Sequence, residues 1–134
     1  MNQRKLMISL VLAVLVLTSL ACGFSVSTAK INGVQMARDE EGTSPTTTFA
    51  PEDTFYCNVD LQNAPDDTNV KAVWTAVEVE GEEPNLELDQ AEVETGSGTV
   101  YFQLENSNAW PAGKYKVDLY LNDKLDRSVE FQVQ

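Results

Sequence analysis

From Phe24 to the C-terminus the chain alternates apolar and polar residues with a period of two, and no stretch repeats at helical spacing. No other property constrains the fold as much. Successive side chains of a strand point to opposite faces, so a chain of such strands must bury one face of each against a second sheet. Residues 54–61 are the cleanest case, with Phe55, Cys57, Val59 and Leu61 on one face and Tyr56, Asn58 and Asp60 on the other. Residues 99–104 align Val100, Phe102 and Leu104, and residues 115–121 align Tyr115, Val117, Leu119 and Leu121. Residues 125–133 turn Val129, Phe131 and Val133 inward. Residues 70–79 carry Trp74 at their centre, and residues 86–89 form a short alternating segment. A first strand is expected over residues 26–31, with room for another through Val34 and Met36. Gly, Pro, Asn and Asp clusters separate these segments at residues 38–48, 62–69, 81–84, 96–98, 105–113 and 122–124. About seven short strands joined in this way predict an all-β antiparallel sandwich.

The first 22 residues follow a different logic. Arg4 and Lys5 precede an almost wholly apolar run over residues 6–17, after which Thr18-Ser19-Leu20-Ala21-Cys22 leads into polar sequence. This is the three-part layout of a secretory signal. The apolar run from Leu6 to Ala21 is 16 residues, short of the roughly 20 needed to span a bilayer as a permanent helix. Ser19-Leu20-Ala21-Cys22 resembles the lipobox of bacterial lipoproteins, in which a small residue precedes an obligatory cysteine; Ser19 stands where leucine is more usual. The resemblance implies thioether lipidation of the Cys22 sulfur, cleavage before it and acylation of the new amino group. The organisation expected is a signal peptide over 1–21, the lipidated cysteine and a short tether over 22–28, and the sandwich over 29–134. Two or three acyl chains hold a protein stably at a membrane, where one chain does not. The tether keeps the domain close to the bilayer.

Charge and composition then exclude whole classes of function. The chain carries a net charge of −12. Arg4 and Lys5 are the only charged residues before Cys22, so the remainder holds 7 basic and 21 acidic residues, a net of −14. Such a surface repels nucleic acid and anionic headgroups. There is no histidine, which removes the commonest general base and metal ligand. With Cys22 assigned to lipid, Cys57 is the single remaining thiol and no intramolecular disulfide is available. Neither a phosphate-binding glycine loop nor metal-ligand spacing is present, so no cofactor is implied and an enzyme is not expected.

Three features carry a second resemblance. Cys57 lies on an early strand, Trp74 follows 17 residues later on the next, and Gly113-Lys114-Tyr115-Lys116-Val117 places a tyrosine two residues before Val117. This resembles an immunoglobulin-like domain: first cysteine, core tryptophan and tyrosine corner, with Val117 where the second cysteine would stand. The resemblance spans residues 47–133 and implies a sandwich that keeps the corner and the tryptophan but lacks the inter-sheet disulfide. Residues 110–117 also look like immunoglobulin-like domains of bacterial surface lipoproteins. The structural core expected is therefore Cys57, Trp74, Tyr115 and Val117, with Trp110 either capping the bottom of the sandwich or exposed for sugar or protein.

Two surface features compete as sites. Residues 78–94 hold Glu78, Glu80, Glu82, Glu83, Glu87, Asp89, Glu92 and Glu94; they read as a solvated face or a calcium site, although no Asp-x-Asp-x-Asp-Gly loop is present. Asp66, Asp67, Asp123 and Asp126 read as turn residues. The second feature depends on register. With Trp74, Ala72 and Ala76 inward, Val73, Thr75 and Val77 face outward, joined by Tyr120 from a neighbouring strand. An apolar stripe on so acidic a protein points to a contact surface, unless the loop over 38–48 covers it or a bulge shifts the register. The function expected is a membrane-anchored extracytoplasmic lipoprotein acting as a non-enzymatic binding module. It would dock an envelope protein, another copy of itself or a surface polymer, and no nucleic acid. The alternative is a calcium-dependent adhesive or carbohydrate-binding module.

Overall fold

A computed structural model describes residues 28–134 of the chain, so the expected signal peptide, Cys22 and all but the last residue of the expected tether lie outside the described residues. Eight strands and no helix occur among the described residues: β1 (Lys30–Ala37), β2 (Thr48–Phe49), β3 (Phe55–Gln62), β4 (Thr68–Val79), β5 (Leu86–Thr95), β6 (Gly98–Leu104), β7 (Gly113–Leu121) and β8 (Lys124–Val133). They form a three-stranded sheet in the order β1-β3-β6 and a five-stranded sheet in the order β2-β8-β7-β4-β5. All pairs are antiparallel except β2 with β8.

The alternation decides which face is buried. Phe55, Cys57, Val59 and Leu61 turn inward from β3, opposite Leu104, Phe102, Val100 and Gly98 of β6. Val70, Ala72, Trp74 and Ala76 do so from β4, opposite Leu121, Leu119, Val117 and Tyr115 of β7. Trp74 and Val117 are thus direct cross-strand neighbours, and both are buried with Cys57 and Tyr115. Phe55 is the hub of the packing. Its ring meets Trp110 in a stack at 4.5 Å, Phe131 and Phe49 edge-on at 4.7 and 4.9 Å, and Tyr115 at 5.6 Å. Offset and edge-to-face pairs at these separations add to the burial of apolar area itself.

The corner between β6 and β7 is built as the tyrosine spacing implies. Tyr115 Oη donates to the carbonyl of Pro111, four residues upstream, at 2.6 Å. Trp110 is buried under the sandwich, and its Nε1 donates to the Asp53 carbonyl at 2.9 Å. Gly113 has φ +148°, and a Cβ there would stand 2.3 Å from the Glu78 carbonyl oxygen, so only glycine lets β7 begin this close to the end of β4. At the other end, Asn122 and Asp123 both take positive φ and close the β7–β8 hairpin, the conformation a two-residue primed turn requires.

Several elements differ from the sequence expectation. One continuous strand, Lys30–Ala37, takes in the end of the segment expected over 26–31 and the one through Val34 and Met36, with a register shift between Ile31 and Gly33; residues 26 and 27 lie outside the described residues. β5 does not stop at Asp89 but runs ten residues to Thr95. Most of its residues are exposed, as an edge strand's are, so no buried face imposes a strong alternation on them. β2 has only two residues, too few to show a period, and exists because Thr48 and Phe49 pair with Gln132 and Val133.

Candidate interaction surface

The outer face of the five-stranded sheet is set by register. Reading across β4 and β7, Lys71 stands opposite Tyr120, Val73 opposite Asp118, and Thr75 opposite Lys116. On the β5 side Glu92, Gln90 and Glu87 flank the same three residues of β4. On the β8 side Leu125, Ser128 and Glu130 flank the same three residues of β7. Two register shifts interrupt the pairing of β4, one against β5 at Trp74 and Thr75, where Leu88 of β5 is the extra residue, and one against β7 between Ala76 and Glu78, where Val77 of β4 is the extra residue. Neither flips Val73 or Thr75, because both remain paired with outward residues of β7.

Val73, Thr75, Val77 and Tyr120 therefore share this face, but they are less open than a bare stripe. Val73, Val77 and Tyr120 are half-buried and Thr75 is 7% exposed. The cause is their cross-strand neighbours. The Lys71 ammonium lies 4.6 Å from the centre of the Tyr120 ring, a cation–π contact that lays an aliphatic stem along the sheet. Lys116 pairs with Asp118 at 3.4 Å, and Asp118 also accepts a hydrogen bond from Ser128 Oγ. Three of the seven basic residues after Cys22, namely Lys71, Lys114 and Lys116, are gathered here. A shallow depression of about 200 Å³ lies at one end, lined by Thr47, Val77, Lys114, Glu130 and Gln132 among others.

The loop over 38–47 goes to the other sheet. Gly42 sits against Asn58 and Gln35 on the outer side of β3 and β1, and the Glu40 carboxylate beside the Tyr101 hydroxyl of β6 pushes that hydroxyl above its usual range. Only its last residues reach the five-stranded sheet, at the β8 edge. Asp39 fixes its shape: one carboxylate oxygen accepts from the Thr43 amide and hydroxyl and the other from the Ser44 amide, which holds the carboxyl below its usual range.

One residue of the face escaped sequence reasoning. Leu125 has the same parity as the inward residues Val129 and Phe131, yet the register shift beside Tyr120 places it opposite that ring, 57% exposed. The only available signal was its position beside the hairpin turn, which does not specify a bulge. The acidic run is not drawn together. It divides among the end of β4, the following turn and β5, and no three carboxylates or thiols among the described residues are grouped to hold a metal ion. Cys57 is fully buried among apolar side chains, and burial pushes its thiol up to about 12. A thiol in that state is an inert core residue rather than a nucleophile.

No protein-family model matches the chain, and no curated protein matches it by sequence. Solved structures do match. An immunoglobulin-like protein from Pseudomonas aeruginosa aligns over 82% of this chain and 99% of its own, at 17% identity and a TM-score of 0.55. Part of a Pseudomonas fluorescens alkylpurine DNA glycosylase aligns over 81% of this chain and 31% of its own, at 14% identity and a TM-score of 0.52. Part of a β-glucosidase from Erythrobacter marinus aligns over 80% of this chain and 15% of its own, at 12% identity and a TM-score of 0.52. Identities this low establish the fold alone, and the fold is an immunoglobulin-like all-β sandwich.

Proposed function

We propose that the protein is a lipid-anchored extracytoplasmic lipoprotein whose immunoglobulin-like domain is a non-enzymatic docking module at the cell envelope. Cys22 carries the lipid, and the short tether keeps the domain near the bilayer. The observation that carries the docking role is the outer face of the five-stranded sheet. In a chain of net charge −12 it collects three lysines around half-buried Val73, Val77 and Tyr120, extended by exposed Leu125. Apolar centres with a charged rim are the usual anatomy of a protein contact, and a partner surface offering carboxylates beside apolar side chains complements this one.

Two measurements test the proposal. Metabolic labelling with palmitate should mark the wild-type protein and leave Cys22→Ala unmarked and released from the membrane; unmarked wild type overturns the anchor. Cross-linked pull-down from the native envelope should recover a partner with wild type and lose it with the Val73→Lys, Tyr120→Lys double variant. Equal recovery by both removes this face as the site.

A further inference from the structure

We propose that the free edge of β5 is a strand-addition site, and that its occupant is an extended segment of another protein that alternates basic and apolar residues. β5 ends the five-stranded sheet, and among the described residues no strand pairs with its far side. From Asp89 to Thr95 its register against β4 runs without a shift. A strand at a sheet edge presents a row of unpaired backbone donors and acceptors. An incoming strand takes these up, and its alternate side chains are read on the two faces of the sheet.

The two faces of β5 specify those side chains. On the inner face, Ala91 and Val93 stand directly opposite Ala72 and Val70 of β4. Ala72 and Val70 are fully buried, whereas Ala91 is exposed and Val93 is 36% exposed. The apolar underside of β5 is thus bare, and apolar side chains of an added strand would lie beside Ala91 and Val93. On the outer face, Glu87, Glu92 and Glu94 stand opposite Thr75, Lys71 and Asn69. All three carboxylates are exposed, and none takes part in an ion pair among the described residues. Lys71, directly across from Glu92, lies instead over the Tyr120 ring.

Carboxylates alone would mark a solvated edge. The open ladder and the bare underside beside them are what call for a strand, and the charge then decides between occupants. β5 carries no basic residue, so pairing two copies of β5 edge to edge sets carboxylate against carboxylate, which destabilises a cross-strand pair. A segment with lysine or arginine on its outward face meets opposite charge along the same edge. This contact lies at the rim of the face across β4 and β7, and it rests neither on docking through that face nor on the lipid.

The test uses the full lipidated chain in a nonionic detergent, with a capped heptapeptide of alternating lysine and valine as the probe. Calorimetry in physiological salt should show binding. Hydrogen exchange followed by NMR should show alternate amides of residues 89–95 slowed about tenfold or more, with those of residues 99–104 unchanged. Glu92→Lys, Glu94→Lys should weaken binding about tenfold. Glu52→Lys, Glu105→Lys alters net charge by the same amount from loops outside β5, and should bind nearly as wild type does. All four positions are exposed, and the exchange measurement on wild type stands without any variant. No binding of the peptide overturns the proposal, as does binding that leaves the β5 amides exchanging freely. Equal weakening in both double variants reduces the effect to net charge and overturns it too. Protection of the same amides in the protein alone, rising with its concentration, would give the edge to a second copy and also overturn it. None of these readouts depends on the pull-down that tests the face across β4 and β7.

Discussion

Replacing Tyr115 with Phe isolates one bond of the corner. The ring keeps its stack on Phe131 at 5.6 Å and its edge contact with Trp110 at 6.0 Å. No cavity opens, and the several kcal/mol that truncation to Ala would cost do not enter. What is lost is the 2.6 Å hydrogen bond to the Pro111 carbonyl, from a side chain only 1% exposed. A buried acceptor left without its donor costs about 1–3 kcal/mol. Pro111 is half-buried, so water reaches part of that carbonyl and the lower half of the range, about 1–2 kcal/mol, applies. For a domain of this size that lowers Tm by roughly 5–10 °C. Urea denaturation should show a lower midpoint with an unchanged slope, because the surface exposed on unfolding is the same. The same substitution changes the alkaline limb. Burial first, with the nearby Glu82 charge second, pushes the Tyr115 hydroxyl from 10.0 up to about 12. A raised value favours the protonated form in the fold, so that contribution is complete below pH 10 and disappears as pH rises through 12. Tyr115→Phe should therefore be less stable than wild type at neutral pH and lose less between those limits. A variant within about 0.3 kcal/mol of wild type at pH 7 would refute the reasoning, since it would mean the corner bond contributes nothing net.

Two further outcomes follow from the same geometry. Gly113→Ala should destabilise more than Tyr115→Phe or fail to fold, because its Cβ would stand 2.3 Å from the Glu78 carbonyl oxygen and 2.7 Å from Val79 Cα; equilibrium unfolding measures it, and a stable variant would show that β4 moves freely there. Cys57 should resist a thiol reagent in the native fold and react only on unfolding, and stability should fall as pH rises from 9.0 through about 12, a decline that Cys57→Ala reduces; rapid native labelling would contradict its burial.

The core was legible because its signal is periodic. Phe55, Cys57 and Val59, or Tyr115, Val117 and Leu119, announce their buried face by alternation alone, and all six are buried. The corner was legible from Tyr115 and Gly113 because its chemistry is local in sequence. Features created by pairing were not. Leu125 turns outward through a bulge that depends on two strands together. Thr75 faces outward yet is buried, because long side chains stand directly across from it on both neighbouring strands. The path of residues 38–47 over Asn58 rests on contacts with β3 and β6, which no local pattern in the loop encodes.

The docking claim is tested most directly by photo-crosslinking in the native envelope, with a photoreactive side chain placed in turn at Val73, at Leu125 and at Gln103 on the opposite sheet. The account predicts that Val73 and Leu125 cross-link to the same partner and that Gln103 does not. A partner captured equally from Gln103, or from that position alone, would contradict it.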